Sequence, residues 1–281
     1  MAIVRDNSKG EESKVDFVIT TPRYSIGDII LEDNVRDALL DVISAVHNEN
    51  KIFNTWGMGE LVKKSKSISI NIYGESGTGK SMAAEVIAHE VNKKMLKVNY
   101  ADIESKYVGE TSKNLYKIFD YAMKNDVVLV FDEADALLSK RVVNMNNSTD
   151  VSVNQTRSVL LNILDEYAGI VVFTTNFMSN YDKAFIRRIM FHLKMNMPNE
   201  SARLLLWKRY LGIKLPYSFD VEEIAKKYDG ITGADIINAI MNSAYYMARV
   251  NCEELTTDII EKNIDKIKNA KIENKIFTLN E

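Results

Sequence analysis

Residues 74–81 read Gly-Glu-Ser-Gly-Thr-Gly-Lys-Ser, and little else in the chain constrains the fold as tightly. Ile68, Ile70 and Ile72 alternate just before this run, as a strand does, and residues 82–91 follow with helical spacing and no breaker. A strand that turns into a helix through three glycines is a specific arrangement. The glycines let the backbone curl so that successive N–H groups converge on one point, where the helix N-terminus adds its own donors. The spacing G-x-x-x-x-G-K-S is that of a phosphate-binding P-loop, which places Gly74, Glu75, Ser76, Gly77, Thr78, Gly79, Lys80 and Ser81 around a nucleotide. Lys80 would reach the β- and γ-phosphates, and the Ser81 hydroxyl would complete a Mg²⁺ shell.

Downstream, strands and helices alternate. Residues 95–99, 127–131, 170–174 and 189–195 read as strands, with helical segments between most of them, which predicts a parallel sheet covered by helices. Ser67, Ser69 and Asn71 sit awkwardly in the first strand and suggest that one of its faces lines a site or lies near an edge. Before the loop, residues 31–47 carry Val35, Leu39, Val42, Ile43 and Val46 on one helical face. From Pro198 the texture changes to helices only, over residues 201–211, 221–228, 234–250 and 257–269. Thr232 or Gly233 is the expected cap of the third, and Thr256 or Thr257 of the last. The expected division is a short lead-in over residues 1–24, a large α/β domain over 25–197 and a small helical lid over 198–281.

The second strand-end motif is Val127-Val-Leu-Val-Phe-Asp132-Glu133-Ala-Asp135. A phosphate-binding loop needs an acid at a strand tip beside its own strand to hold Mg²⁺ through the water shell, and Asp132 fits that role. Glu133 is suited to polarising an attacking water, while Asp135 reads as an acid in the first turn of a helix. Residues 171–176 form a further strand ending at Asn176, placed to orient that water or simply to cap a turn. Arg187 and Arg188 follow 11 and 12 residues later. They are either solvated charges or arginine fingers acting on a neighbouring copy, a contribution of ~10³–10⁵ in rate where fingers operate.

Together these motifs resemble the AAA+ family, in particular the clade of katanin, spastin and the Cdc-type unfoldases, over residues 25–270. The resemblance identifies residues 74–81 as Walker A, residues 127–135 as Walker B, Asn176 as sensor 1, and Arg187 and Arg188 as the finger pair. The clade's lid signature stands here as Thr232-Gly-Ala-Asp-Ile236, with Gly233 and Ala234 near the nucleotide. It implies a parallel five-stranded sheet in order 5-1-4-3-2, ATP and Mg²⁺ as cofactors, and a homo-hexameric ring with sites at subunit interfaces. In that clade an aromatic loop after the second strand projects into the central channel; Lys106, Tyr107 and Val108 stand there. Such a ring pulls on a protein, gripping it by apolar and backbone contact. Among compact members the chain looks most like bacterial relatives of the Pch-type HORMA-domain remodellers, which accompany antiviral defence systems. A Rubisco-activase-like or sporulation-type remodeller is the alternative within that class, with the target reached directly or through an adaptor.

Composition narrows the remaining classes. A net charge of −3 lacks the basic footprint of a nucleic-acid motor or loader, so nucleic acid is not the expected partner. A nucleotide-gated scaffold would need neither Glu133 nor Asn176 nor the arginines. No apolar run approaches a membrane span, and the first residues lack the apolar stretch of a signal peptide. Cys252 is the only cysteine, and His47, His89 and His192 are scattered, so neither a disulfide nor a cysteine-histidine metal cluster is expected. The expected compartment is the cytoplasm.

Overall fold

The computed structural model describes residues 18–61, 67–99, 103, 110–139, 148–176, 181–212 and 214–279. In chain order the elements are β1 (Ile19–Thr20), α1 (Asp33–His47), a π-helical turn (Lys51–Thr55), α2 (Met58–Leu61), β2 (Ile68–Gly74), α3 (Lys80–Glu90), β3 (Met95–Asn99) and α4 (Glu110–Lys124). There follow β4 (Val128–Asp132), α5 (Asp135–Leu138), α6 (Ser148–Glu166), β5 (Ile170–Thr175), α7 (Lys183–Ile186) and β6 (Phe191–Met195). The chain closes with α8 (Glu200–Tyr210), α9 (Val221–Lys227), α10 (Gly233–Val250) and α11 (Thr257–Leu279). Among the described residues no helix is long and apolar enough to cross a membrane.

The sheet has six strands in order β1-β3-β4-β5-β2-β6. Counted from β2 alone, its five parallel strands run 5-1-4-3-2, as the family resemblance implies. The expected count of five is corrected by β1, a two-residue strand that pairs antiparallel with β3, Ile19 opposite Leu96. So short a segment carries no readable alternation. A second correction concerns β4, which is not beside β2: β5 lies between them. Because all three run parallel, their carboxyl ends still open on one edge, where α/β sheets bind ligands.

β2 is likewise not an edge strand. Ser69 and Asn71 are fully buried between β5 and β6, where hydrogen bonds meet the Ser69 hydroxyl and the Asn71 amide oxygen, while Asn71 Nδ2 has no partner among the described residues. Ser69 Oγ donates to Arg188 O at 3.0 Å and accepts from Met190 N at 3.0 Å. Asn71 Oδ1 accepts from Tyr181 Oη at 3.2 Å and from Thr175 Oγ1 at 3.4 Å. Burying a polar group unpaired costs roughly 1–3 kcal/mol, a cost these bonds avoid for the Ser69 hydroxyl and the Asn71 carbonyl but not for Asn71 Nδ2.

Two compact units make up the chain. The first comprises Met1–Ile29, Asn34–Gly74 and Lys80–Met195. Its core is aromatic at the centre: Phe131 stacks on Phe173 at 5.3 Å and Phe119 meets Tyr167 edge-on at 4.9 Å. Leu96, Leu115, Ile118, Leu129, Leu160 and Val171 close around them, all fully buried. Each such side chain contributes roughly 1.5–3 kcal/mol on leaving water.

The second unit comprises Ile30–Asp33, Glu75–Gly79 and Asn196–Glu281. It is built on Trp207, Ile224, Ile236, Ile240, Leu255, Ile260 and Ile264, and three of its helices start on side-chain caps. Asn199 caps α8, Asp220 caps α9, and Thr232 forms a capping box with Asp235 on α10. Asn251 ends α10 in the left-handed region that asparagine tolerates. The last helix extends well past the expected residue 269, to Leu279.

Candidate functional site

The site begins where β2 runs out. Gly74 has φ +154°, and a Cβ there would lie 2.2 Å from the Met195 carbonyl oxygen, so only glycine fits against β6. Gly77 and Gly79 follow at φ +80° and +98°, and Thr78 Oγ1 donates to Glu75 O at 2.7 Å, tying the turn together. A Cβ on Gly77 would meet Thr232 Oγ1 at 2.6 Å and the Ala234 methyl at 3.0 Å. Ala234 N also donates to Gly77 O, at 3.4 Å. The expected neighbours Gly233 and Ala234 therefore stand against Gly77. Glu75 and Ser76 are exposed at the loop's crest.

α3 starts at Lys80, directly after the turn. Its ammonium reaches back to Gly74 O at 2.8 Å and across to Asn176 Oδ1 at 2.9 Å. Ser81 Oγ donates to the Asp132 carboxylate, 3.0 Å from Oδ1 and 3.2 Å from Oδ2. Loop, second strand tip and third strand tip thus meet through side-chain hydrogen bonds.

Two further groups hold Asp132, and sequence reasoning missed both. Lys97 Nζ on β3 lies 2.6 Å from Asp132 Oδ2, and Thr174 Oγ1 on β5 donates to Oδ1. Burial pushes the Asp132 carboxyl up, but the hydrogen bonds from Lys97 and Thr174 outweigh it and hold the group below its ordinary value. It is a carboxylate at neutral pH.

Glu133 is exposed and has φ +53°, a left-handed conformation uncommon for a residue with a Cβ. Its N–H donates to Thr174 Oγ1 at 3.2 Å, and Ala134 N donates to Thr174 O at 2.9 Å, so β5 sets the bend at the end of β4. Asp135 does more than begin a helix. Its carboxylate accepts from Asn176 N at 3.1 and 3.3 Å and fixes the Asn176 backbone beside Lys80.

The two arginines stand apart from this cluster and differ from one another. Arg188 grips Asp165 of α6 in a fork, Nε at 3.0 Å and Nη2 at 2.9 Å from Oδ2, and Nη1 donates to Ala184 O at 3.2 Å. Arg187 is exposed, and its side chain has no partner among the described residues. Lys106, Tyr107 and Val108 lie outside the described residues.

The donor set fits a magnesium nucleotide. A hydroxyl and a carboxylate at hydrogen-bond distance are hard oxygen donors of the kind Mg²⁺ takes. A glycine turn with three positive φ angles leads into the N-terminus of an 11-residue helix, the geometry that receives phosphate.

Residues 70–198 match the family model described as ATPase family associated with various cellular activities (AAA). Over residues 70–198 the chain carries an AAA ATPase domain. The match begins inside β2 and ends just past β6, so the AAA domain includes the loop, Asp132, Glu133, Asn176 and both arginines. The 26S proteasome subunit RPT4 of Saccharomyces cerevisiae is 27% identical, aligned over 86% of this chain and 55% of its own length. Cell division protein C of Sulfolobus acidocaldarius is 30% identical over 82% of this chain and 62% of its own length. A proteasome-activating nucleotidase of Aeropyrum pernix is 29% identical over 85% and 59%. The chain spans about half the length of the curated relatives it matches.

Proposed function

We propose that the AAA domain hydrolyses ATP with Mg²⁺ and that a homo-hexameric ring of this chain uses the cycle to pull on a protein substrate. The observation that carries the proposal is the meeting of Lys80, Ser81, Asp132 and Asn176 at the strand tips, with Ser81 to Asp132 at 3.0 Å and Lys80 to Asn176 at 2.9 Å. Bound ATP and Mg²⁺ supply the transferable phosphoryl group and its charge neutralisation. The chain supplies the rest. Backbone N–H groups of residues 76–81 and the Lys80 ammonium hold phosphate oxygens, while Ser81 and Asp132 hold the metal. A carboxylate oxygen of Glu133 takes the proton of the attacking water, and Asn176 orients that water. Arg187, exposed and without a partner among the described residues, is the group available to reach a neighbouring copy's site.

Protein rather than nucleic acid is the proposed substrate. Two of the three relatives above carry names tied to the proteasome, and the chain's net charge of −3 gives no basic footprint. In this reading Tyr107, with Lys106 and Val108, grips the polypeptide. The narrower reading, a HORMA-domain partner opened in bacterial antiviral defence, is supported by the sequence resemblance alone. The cytoplasm is the proposed compartment, in keeping with one cysteine in 281 residues.

The test is stimulation of phosphate release by a folded protein with a flexible terminus, set against single- and double-stranded DNA. Stimulation by the protein, lost in Tyr107→Ala while basal turnover stays, supports the proposal. Stimulation by DNA alone replaces it with a nucleic-acid motor.

A further inference from the structure

The strand next to the metal carboxylate carries a cation of its own. Lys97 lies on β3 opposite Val130, and Asp132 is two residues further along β4, hence on the same face of the sheet. A lysine stem spans that diagonal, and Nζ reaches Oδ2 at 2.6 Å. The Asp132 carboxylate then has donors on both oxygens: Ser81 on each, Thr174 on Oδ1 and Lys97 on Oδ2. Of these donors only Lys97 brings a full charge, and it cancels that of the carboxylate.

The Lys97 charge is also felt by a second acid. It helps lower the carboxyl of Glu85 of α3, which Arg23 holds through N at 3.1 Å, Nε at 3.2 Å and Nη2 at 2.9 Å. The Lys97 side chain is 44% exposed, so it has room to swing away from Asp132. An ion pair this exposed adds little to stability, which leaves its effect on the carboxylate as its main consequence.

We propose that Lys97 is a positioning residue that occupies Asp132 as a resident counter-cation and sets how much Mg²⁺ is needed for nucleotide to bind tightly. Magnesium at Ser81 and Asp132 must displace or repel the ammonium, so Lys97 raises the Mg²⁺ requirement and keeps the carboxylate from collecting metal before nucleotide arrives. The inference rests on the proposed nucleotide site and goes beyond it by adding a residue that the P-loop and acidic motifs do not contain.

The experiment uses the full chain and a fluorescent ADP, which binds without turnover, titrated at graded Mg²⁺ above an EDTA baseline. In Lys97→Met, which keeps the stem and removes the charge, the Mg²⁺ concentration at half-maximal affinity gain should fall about three- to tenfold. Lys97→Arg, which keeps the charge, should restore the wild-type midpoint, and affinity in EDTA should be unchanged in both. A residue that only supported the fold would shift the EDTA affinity or the melting temperature and leave the Mg²⁺ midpoint alone. Should Lys97→Met melt early, Lys97→Gln carries the same comparison. A midpoint in the uncharged variants equal to or above wild type overturns the inference and leaves the site standing. Failure of wild type to bind ADP, or binding indifferent to Lys80→Ala, overturns the site and the inference with it.

Discussion

Arg187 and Arg188 are adjacent, identical in chemistry and different in circumstance, so removing them one at a time separates stability from catalysis. Arg188 and Asp165 are 26% and 29% exposed and joined by contacts of 2.9–3.1 Å, with a further bond from Arg188 to Ala184 O. Exposed ion pairs contribute ~0.2–1 kcal/mol, and hydrogen bonds to charged groups ~1.5–3. A pair three-quarters removed from water falls between, at about 1–2 kcal/mol; Asp165 can rehydrate in part when Arg188 is removed, which keeps the cost from rising further. Spread over a domain of this size, Arg188→Ala should lower the melting temperature by roughly 2–8 °C. Arg187→Ala, with no side-chain partner among the described residues to lose, should stay within about 0.5 kcal/mol of wild type. Phosphate release should behave otherwise: Arg187→Ala should lose ~10³-fold or more if it is the finger reaching a neighbour. Thermal melts and phosphate release on the same preparations read both quantities. The double change with Asp165→Asn should show about 1 kcal/mol of coupling to Arg188 and none to Arg187. Equal melts for the two single variants, or a stable Arg188→Ala, would refute the argument from geometry.

Three other expectations follow from particular contacts. Gly77→Ala places a methyl at φ +80° against Thr232 Oγ1 and Ala234, so it should cost about 1–3 kcal/mol in strain and weaken ADP binding at least tenfold by titration; wild-type affinity would mean the loop relaxes freely. Thr232→Ala removes the hydroxyl of the α10 capping box and should lower stability by about 1 kcal/mol in a urea melt; an unchanged midpoint would mean the cap contributes nothing. Burial pushes the Glu85 carboxyl up, but the Arg23 bonds outweigh it and hold it below its ordinary value, so its stabilisation is present above the unfolded-chain value and is lost as pH falls toward the folded one. Glu85→Gln should therefore be less stable at pH 7, with the gap closing below about pH 4, whereas a gap independent of pH would contradict the pairing.

Local chemistry explains what was legible in the chain. Residues 74–81 and 127–135 announce a glycine turn and an acidic strand tip because the backbone demands are local, and both form as read. What stayed hidden depends on partners far along the chain. Ser69 and Asn71 looked like edge residues because their acceptors and donors, Arg188 O, Met190 N and Tyr181, lie more than 100 positions away. Lys97 reads as an ordinary lysine until parallel pairing sets it diagonal to Asp132. The fork from Arg188 to Asp165 spans 23 residues and no periodicity encodes it. Thr174 and Asp135 sit inside the motifs that were read, yet their work of bending β4 and holding Asn176 appears only when β4 and β5 lie side by side.

The central claim is that residues 74–81 bind a nucleotide which Glu133 then helps to hydrolyse, and one paired measurement tests it. Fluorescent-nucleotide binding and phosphate release are recorded on wild type, Lys80→Ala and Glu133→Gln. The account predicts that Glu133→Gln binds within a few-fold of wild type while its phosphate release falls about 10²–10⁴-fold, and that Lys80→Ala loses binding itself. Wild-type turnover by Glu133→Gln, or undiminished binding by Lys80→Ala, would contradict it.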